Sequence, residues 1–262
     1  MRFKDQVVVV TGAARGIGFQ AALQFAQEGA KVVVIDLDPA AVDAAVQKIK
    51  AQGGYAIGVP GDVSAEQQVH ANVEQILGEL KHIDVLVNNA GLYTLAPTAT
   101  VTSKDWRRIL SVNVDGAFFW AQTVGSKSMI PRRSGVIINI ASGAGLQGIP
   151  HAAAYVTSKH ALIGLTKSLA VDWGQYNIRV NAVCPALTWT EMAKSGRDKY
   201  PDMFVERQRR IPLGRACEVE EQADAILFMA SPQAKSVHGH IFVVDGGVAA
   251  MSSGYAVPRD DT

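Results

Sequence analysis

Short β-branched runs alternate with longer helical periods along the chain, the rhythm of strands joined by crossover helices. The runs read as strands cover residues 7–11, 31–36, 55–59, 83–88, 135–141, 178–183 and 240–244. Nearly all are apolar without alternation, as strands buried on both faces should be. The periods between them predict helices over residues 17–28, 39–52, 65–80, 103–130, 152–175 and 219–230. The expected fold class is α/β, a doubly wound seven-stranded parallel sheet with helices on both faces. No low-complexity linker interrupts the pattern, so residues 1–262 read as a single domain. Only residues 185–215 resist assignment. A connection of that size inside a compact domain is more often a functional lid than a passive loop, and residues 186–215 are expected to close over a substrate.

Two predicted helices are more apolar than a one-faced surface helix requires. Phe118, Phe119 and Trp120 spread over most of one circumference, and Ala161, Leu162, Ile163 and Leu165 do the same on the other. Each helix is either sandwiched inside its own subunit or packed against a partner chain. Because an outer layer of helices normally faces water, a homodimer or homotetramer is the expected state.

Composition narrows the class. The 262 residues are 48% hydrophobic, enough for a sizeable core, and 25 Lys+Arg against 24 Asp+Glu give a formal net charge of +1. Disorder is excluded as the main state, and no global field favours nucleic acid or an anionic membrane. Cys184 and Cys217 make neither a disulfide framework nor a metal-ligand spacing. With no recognisable leader at residues 1–6 and no apolar run approaching the roughly 18 residues of a spanning helix, a cytoplasmic protein is expected.

Candidate chemistry begins after the first strand, where Thr11-Gly12-Ala13-Ala14-Arg15-Gly16-Ile17-Gly18 opens a helix. A glycine-rich turn lets backbone approach a pyrophosphate, and the helix N-terminus offers unpaired N–H groups. The spacing differs from the G-x-G-x-x-G fingerprint, so the turn alone is weak, but Asp36 ends the next strand. A carboxylate there accepts hydrogen bonds from ribose hydroxyls and repels a 2′-phosphate, favouring NAD over NADP. Arg15 complicates this, since a cation in the turn suits a 2′-phosphate. Asp62-Val63 and Asn88-Asn89-Ala90-Gly91 also fall at strand carboxyl ends, where ligands of open parallel sheets bind.

Tyr155 and Lys159 lie one helical turn apart, on one face, and Ser142 follows the fifth strand. A tyrosine beside a lysine is a plausible acid/base, because the cation stabilises phenolate. Taken alone, such a pair is more often a surface contact. Together these motifs resemble the short-chain dehydrogenase/reductase family over essentially the whole chain, from Thr11–Gly18 to Val244-Asp245-Gly246-Gly247. The resemblance implies a Rossmann-like domain in which Tyr155 is the acid/base and Ser142 orients the substrate oxygen. It implies that Lys159 binds the nicotinamide ribose and lowers the tyrosine pKa, and that Asn113 holds a proton-relay water. By the same resemblance Asp62-Val63 reaches the adenine, Asn89 supports the cofactor beside Ala90 and Gly91, and Thr190 touches the carboxamide. One departure is Pro185-Ala186, where the family usually has Pro-Gly.

The expected activity is NAD-dependent interconversion of a polar secondary alcohol, or a sugar or polyol hydroxyl, with its carbonyl. The alternatives are a 3-oxoacyl-acyl-carrier-protein-type reductase, which Asp36 disfavours, and a catalytically silent dinucleotide-binding regulator, which the full Ser142, Tyr155, Lys159 and Asn113 set disfavours. Pocket shape is expected to depend on residues 90–96, 143–152 and 185–215. Gln147, His151 and Trp189 would suit a neutral sugar by hydrogen bonding and stacking. An anionic substrate is the other expectation, because the lid carries Lys194, Arg197, Lys199, Arg207, Arg209, Arg210 and Arg215 against Glu191, Asp198, Asp202 and Glu206. Arg197 is the lid cation singled out for that contact. His238 and His240 lack a third ligand, so no metal is expected.

Overall fold

Val7–Thr11 forms β1 with every side chain buried, because its alternate valines serve two cores. Val8 and Val10 face one, Val7 and Val9 the other. A computed structural model describes residues 1–251, apart from the side chains of Met192 and Ser195. Residues 252–262 of the expected domain lie outside the described residues. Six further strands are β2 (Lys31–Ile35), β3 (Tyr55–Gly58), β4 (Val85–Asn88), β5 (Gly135–Ile140), β6 (Ile178–Pro185) and β7 (Ile241–Val244). All pair in parallel, in the order β3-β2-β1-β4-β5-β6-β7. The order reverses between β1 and β4, and the crevice at that switch point is where open parallel sheets take ligands.

The helices are α1 (Gly16–Gln27), α2 (Pro39–Ala51), α3 (Glu66–Leu80), α4 (Ser103–Leu110), α5 (Gly116–Val124), α6 (Ile130–Arg132), α7 (Ala153–Trp173), α8 (Glu191–Lys199), α9 (Pro201–Arg209) and α10 (Val219–Ala230). One core fills the space between the sheet and α1, α2 and α10, the other the space under α3, α5 and α7. Local signals agree with these elements. Asp38 caps α2 by accepting from the Ala40 amide at 3.0 Å with Pro39 in the first turn, and Glu218 and Glu221 form a capping box on α10.

Two expectations need correction. The helix expected over residues 103–130 is interrupted by π turns at Ser111–Asp115 and Gly125–Met129. In the first, the Asn113 side chain turns inward to the Leu92 backbone; in the second, the Ser128 hydroxyl accepts from the Ile83 amide at 2.9 Å. That bond, with Arg132 donating to the Ile83 carbonyl at 3.1 Å, removes Ile83 from the ladder, so β4 begins at Val85 rather than at Ile83. The apolar surplus on the 103–130 stretch and on α7 divides between the interior and the surface. Trp120 is 1% exposed in the second core, and Leu162 is buried, while Phe118 and Val171 remain exposed.

Residues 186–215 are not a bare loop. They contain α8 and α9, stitched to the body by a Thr188–Cys217 bridge and by a small core of Leu187, Phe204, Ile211 and Ala216.

Candidate active site

The glycine turn after β1 is held in shape by side chains from β1 itself and from the end of β4. Asn89 Nδ2 donates to the carbonyls of Thr11 and Gly12, both at 2.9 Å, and Thr11 Oγ1 accepts from the Asn89 and Ala90 amides at 3.0 and 3.1 Å. Gly12 has φ +63, and a Cβ there would lie 2.8 Å from the Ala90 Cα. At Gly18 a Cβ would collide with Asn89 Nδ2 and the Gly12 carbonyl, so the helix packs directly on the turn. Asp36 completes this end: one carboxylate oxygen accepts from the Ala14 amide at 3.1 Å and the other from Leu37 at 2.8 Å. Arg15 is exposed beside it. Asp62 accepts from the Ser64 amide at 2.8 Å, and Val63 packs against Gly116.

A cleft of about 1900 Å³ runs from this turn across the carboxyl ends of the strands. Drug-sized ligands fill roughly 300–1,000 Å³, so the volume admits a dinucleotide together with a second molecule. Gly12, Arg15, Gly16, Ile17, Asp36 and Asp62 line one end. Val63, Asn89, Ala90 and Gly91 line the middle, and Pro185, Ala186 and Thr190 the lid side. Thr190 caps α8, accepting from the Ala193 amide at 3.2 Å, and its methyl would lie 3.6 Å from a Cβ on Gly16. The start of α8 therefore faces the turn across a gap that a single methyl group on Gly16 would fill.

Ser142, Tyr155 and Lys159 meet on the wall of the same cleft. Ser142 is held as the cap of a short turn, accepting from the Ala144 amide at 3.1 Å. Lys159 is buried; its Nζ donates to the Ile140 carbonyl at 2.8 Å and lies 5.7 Å from the centre of the Tyr155 ring. Burial pulls the ammonium pKa down to about 8. Burial pushes the Tyr155 phenol above its ordinary value, against the lowering expected from the lysine, while Ser142 and Arg207 pull it back. Desolvation outweighs the nearby charges in this cleft. Asn113, 1% exposed, lies behind the wall: its Oδ1 accepts from the Leu92 amide at 2.7 Å and its Nδ2 donates to Ser158 Oγ at 2.9 Å.

Gln147 and His151 reach the cleft wall. His151 adopts φ +60, rare for a residue with a side chain, and its carbonyl accepts from the Ala96 amide at 2.8 Å, joining two pocket loops. Trp189 and Arg197 do not line the cleft. Arg197 pairs with Asp198 at 3.0 Å and lies over the Trp189 ring at 5.6 Å, each satisfying the other on the outer side of the lid. His238 bridges backbone instead of facing a ligand, with Nε2 2.8 Å from the Ala170 carbonyl and Nδ1 accepting from the Val180 amide. Tyr93, which packs edge-on against Tyr155 with ring centres 4.8 Å apart, escaped sequence reasoning. Its position in the exit loop of β4, just beyond Gly91, was the available signal.

An all-parallel sheet with a tied glycine turn at its switch point defines the class of dinucleotide-binding α/β proteins. The comparison with known proteins narrows that class. Residues 12–249 match a family model described as enoyl-(acyl carrier protein) reductase. The meso-2,3-butanediol dehydrogenase of Serratia marcescens is 40% identical over 253 residues, covering 95% of this chain and 97% of that one. The 2-(S)-hydroxypropyl-CoM dehydrogenase 3 of Xanthobacter autotrophicus is 38% identical over 256 residues, covering 95% and 99%. A crystal structure of a gluconate 5-dehydrogenase from Burkholderia cenocepacia in complex with NADP and tartrate superposes with a TM-score of 0.91 at 32% identity, over 96% of this chain and 98% of that one. The chain belongs to the short-chain dehydrogenase/reductase family, oxidoreductases that use a dinucleotide on CH–OH groups. Among the described residues, no helix is long and apolar enough to cross a membrane.

Proposed function

We propose that this protein interconverts a polar secondary alcohol, or a polyol or sugar hydroxyl, with its carbonyl, using NAD. The observation that carries the reading is the convergence of Ser142, Tyr155 and Lys159 on one cleft whose far end presents Asp36. The residues fit a dinucleotide: Gly12 and Gly16 leave the turn without side chains, and the Asp36 carboxylate stands where ribose hydroxyls would donate. Bound there, the cofactor supplies the hydride acceptor for the alcohol carbon. Ser142 Oγ holds the substrate oxygen; Tyr155 Oη, as the phenolate, takes the hydroxyl proton as the carbonyl forms, and in the reverse direction the neutral phenol donates that proton to the forming alkoxide. Lys159 places a positive charge beside the phenol and would hold the nicotinamide ribose. Asn113 fixes the loop at Leu92 and the start of α7 through Ser158, keeping the wall behind Tyr155 in register. Residues 186–215 close over the substrate and exclude water. The exposed Phe118 and Val171 support assembly with further copies of the chain, and the free thiols Cys184 and Cys217 suit a reducing cytoplasm.

NAD is favoured although the Burkholderia relative holds NADP, because Asp36 would face a 2′-phosphate with like charge. A panel of secondary alcohols, polyols and sugars, followed by NADH or NADPH absorbance, tests the reading. The expected preference for NAD is about tenfold or more in kcat/KM, which needs only ~1.4 kcal/mol. Equal or better use of NADP overturns the cofactor choice, and reduction of 3-oxoacyl thioesters ahead of every alcohol overturns the substrate class.

A further inference from the structure

Beyond Gly91 the exit loop of β4 folds Tyr93 back onto the wall of the cleft, edge-on to Tyr155. The Tyr93 hydroxyl is buried and has no hydrogen-bond partner. A buried hydroxyl left alone destabilises the fold, a penalty that a ligand supplying an acceptor removes. Burial pushes its pKa up, so at neutral pH it remains a donor.

Across the cleft, α9 contributes Arg207 to the lining. Its guanidinium lies 5.4 Å from the centre of the Phe204 ring, and Phe204 is anchored in the small core of the lid. Four other lid cations are neutralised locally. Lys194 pairs with Glu191, Arg197 with Asp198, Arg210 with Glu206 and Arg215 with Glu221. Among the described residues Arg207, Lys199 and Arg209 have no acidic partner; Arg207 and Arg209 line the cleft, and of the three only Arg207 acts on the phenols of Tyr93 and Tyr155. The two lid carboxylates that line the cleft, Glu191 and Glu206, are those already engaged by Lys194 and Arg210. The field of Arg207 reaches both phenols and favours their ionised forms. The chemical end of the cleft therefore offers an unanswered cation and an unanswered donor, whereas at the other end Arg15 stands among three carboxylates, Asp36, Asp38 and Asp62.

We infer that Tyr93 and Arg207 form an anion subsite, and that the substrate is a hydroxy acid whose carboxylate lies there while its hydroxyl meets Ser142 and Tyr155. A guanidinium binds a carboxylate through two parallel hydrogen bonds, and the tyrosine hydroxyl adds a third donor. A neutral ligand would satisfy Tyr93 but leave Arg207 without a counter-charge. The inference rests on the reading of the cleft as an alcohol dehydrogenase site, and it names the class of alcohol.

The test compares β-hydroxybutyrate and γ-hydroxyvalerate with their methyl esters as substrates with NAD, and measures binding of levulinate to the NAD-loaded protein by calorimetry. Levulinate is a keto acid that cannot react with oxidised cofactor, so its binding reads the subsite without turnover. At least one acid should exceed its ester about tenfold in kcat/KM at low salt, the ratio shrinking as ionic strength rises. Arg207→Gln should reduce that ratio and weaken levulinate about tenfold, while Arg207→Lys retains part of both because it keeps the charge and loses the fork. Tyr93→Phe, which keeps the ring against Tyr155, should raise KM for the acids severalfold with little change in kcat. Esters as good as acids in the parent, or an acid-to-ester ratio unchanged by Arg207→Gln, overturns the subsite. Levulinate binding that needs Arg207, without oxidation of any acid or ester or of any alcohol in the panel above, upholds the subsite and overturns the dehydrogenase reading. Oxidation of neutral alcohols with neither levulinate binding nor acid turnover overturns the subsite alone, and absence of all binding and turnover overturns the two together.

Discussion

At one end of the cleft the glycine turn is tied by Asn89 and Thr11 to the neighbouring strand, and Asp36 closes it through backbone amides. At the other end part of the wall is made by side chains of α8 and α9, helices with few apolar residues attached to the body by the Thr188–Cys217 bridge, a small core and a few hydrogen bonds such as Leu213 N–H to the Gly246 carbonyl. The first end is specified by backbone geometry and admits little variation without a collision. The second is specified by which cations find carboxylates within the lid, so it can change partner chemistry without disturbing the fold. A cofactor shared across a family needs the first kind of construction, and a substrate particular to one member needs the second.

The largest expected break in this comparison is at the acid/base. Tyr155→Phe should lower kcat about a hundred- to ten-thousandfold, with NADH binding, read by fluorescence, retained; turnover near that of the parent removes Tyr155 from the chemistry.

Lys159 gives a stability signature. Its folded pKa of about 8 lies below the ordinary 10.5, so below pH 8 both states are protonated and the fold bears the full cost of a buried ammonium. Between pH 8 and 10.5 the unfolded chain binds the extra proton, and stability rises with pH. This group should contribute a slope of up to about 1.4 kcal/mol per pH unit. Urea unfolding of Lys159→Met across that range should lack that increment, and an unchanged slope overturns the assignment.

Asp36→Ala should narrow the NAD preference about tenfold, seen as the ratio of kcat/KM for the two cofactors. No change would mean that Arg15 governs the choice. The smallest effect belongs to the lid: Arg197→Ala should change kcat/KM by less than about twofold, since an exposed pair with Asp198 is worth under ~1 kcal/mol. A larger loss would show that the residue enters the cleft on closure.

Strands were legible because burial on both faces forces continuous apolar runs, as in Val7–Thr11. The glycine turn, Asp36, Ser142, Tyr155 and Lys159 were legible because short motifs and strand ends locate them. The π turns were not, because Asn113 and Ser128 shift the helical register through contacts with Leu92 and Ile83, residues distant in sequence. In α8 and α9 the apolar positions are too sparse to count a period. Thr190 as a cap and Pro201 in a first turn were nonetheless helix signals. Charge counting alone did not separate Arg197, which pairs with Asp198 away from the cleft lining, from Arg207, which lines the cleft, because sequence does not show which cations of residues 186–215 find a carboxylate nearby.

Thr190 has a kinetic consequence. The residue that starts α8 also stands over Gly16, its methyl 3.6 Å from the position a Cβ there would take, so movement of α8 at this end would open the wall over the glycine turn. With residues 186–215 closing as proposed, whatever holds α8 down would slow escape of the dinucleotide as well as of the substrate. The ternary complex should have a longer cofactor residence time than the binary one, and the coupling should appear in dissociation rates more than in association rates. Thr190→Ala, lacking the hydroxyl that caps the helix, should release the cofactor faster and reduce the difference in residence time between the two complexes.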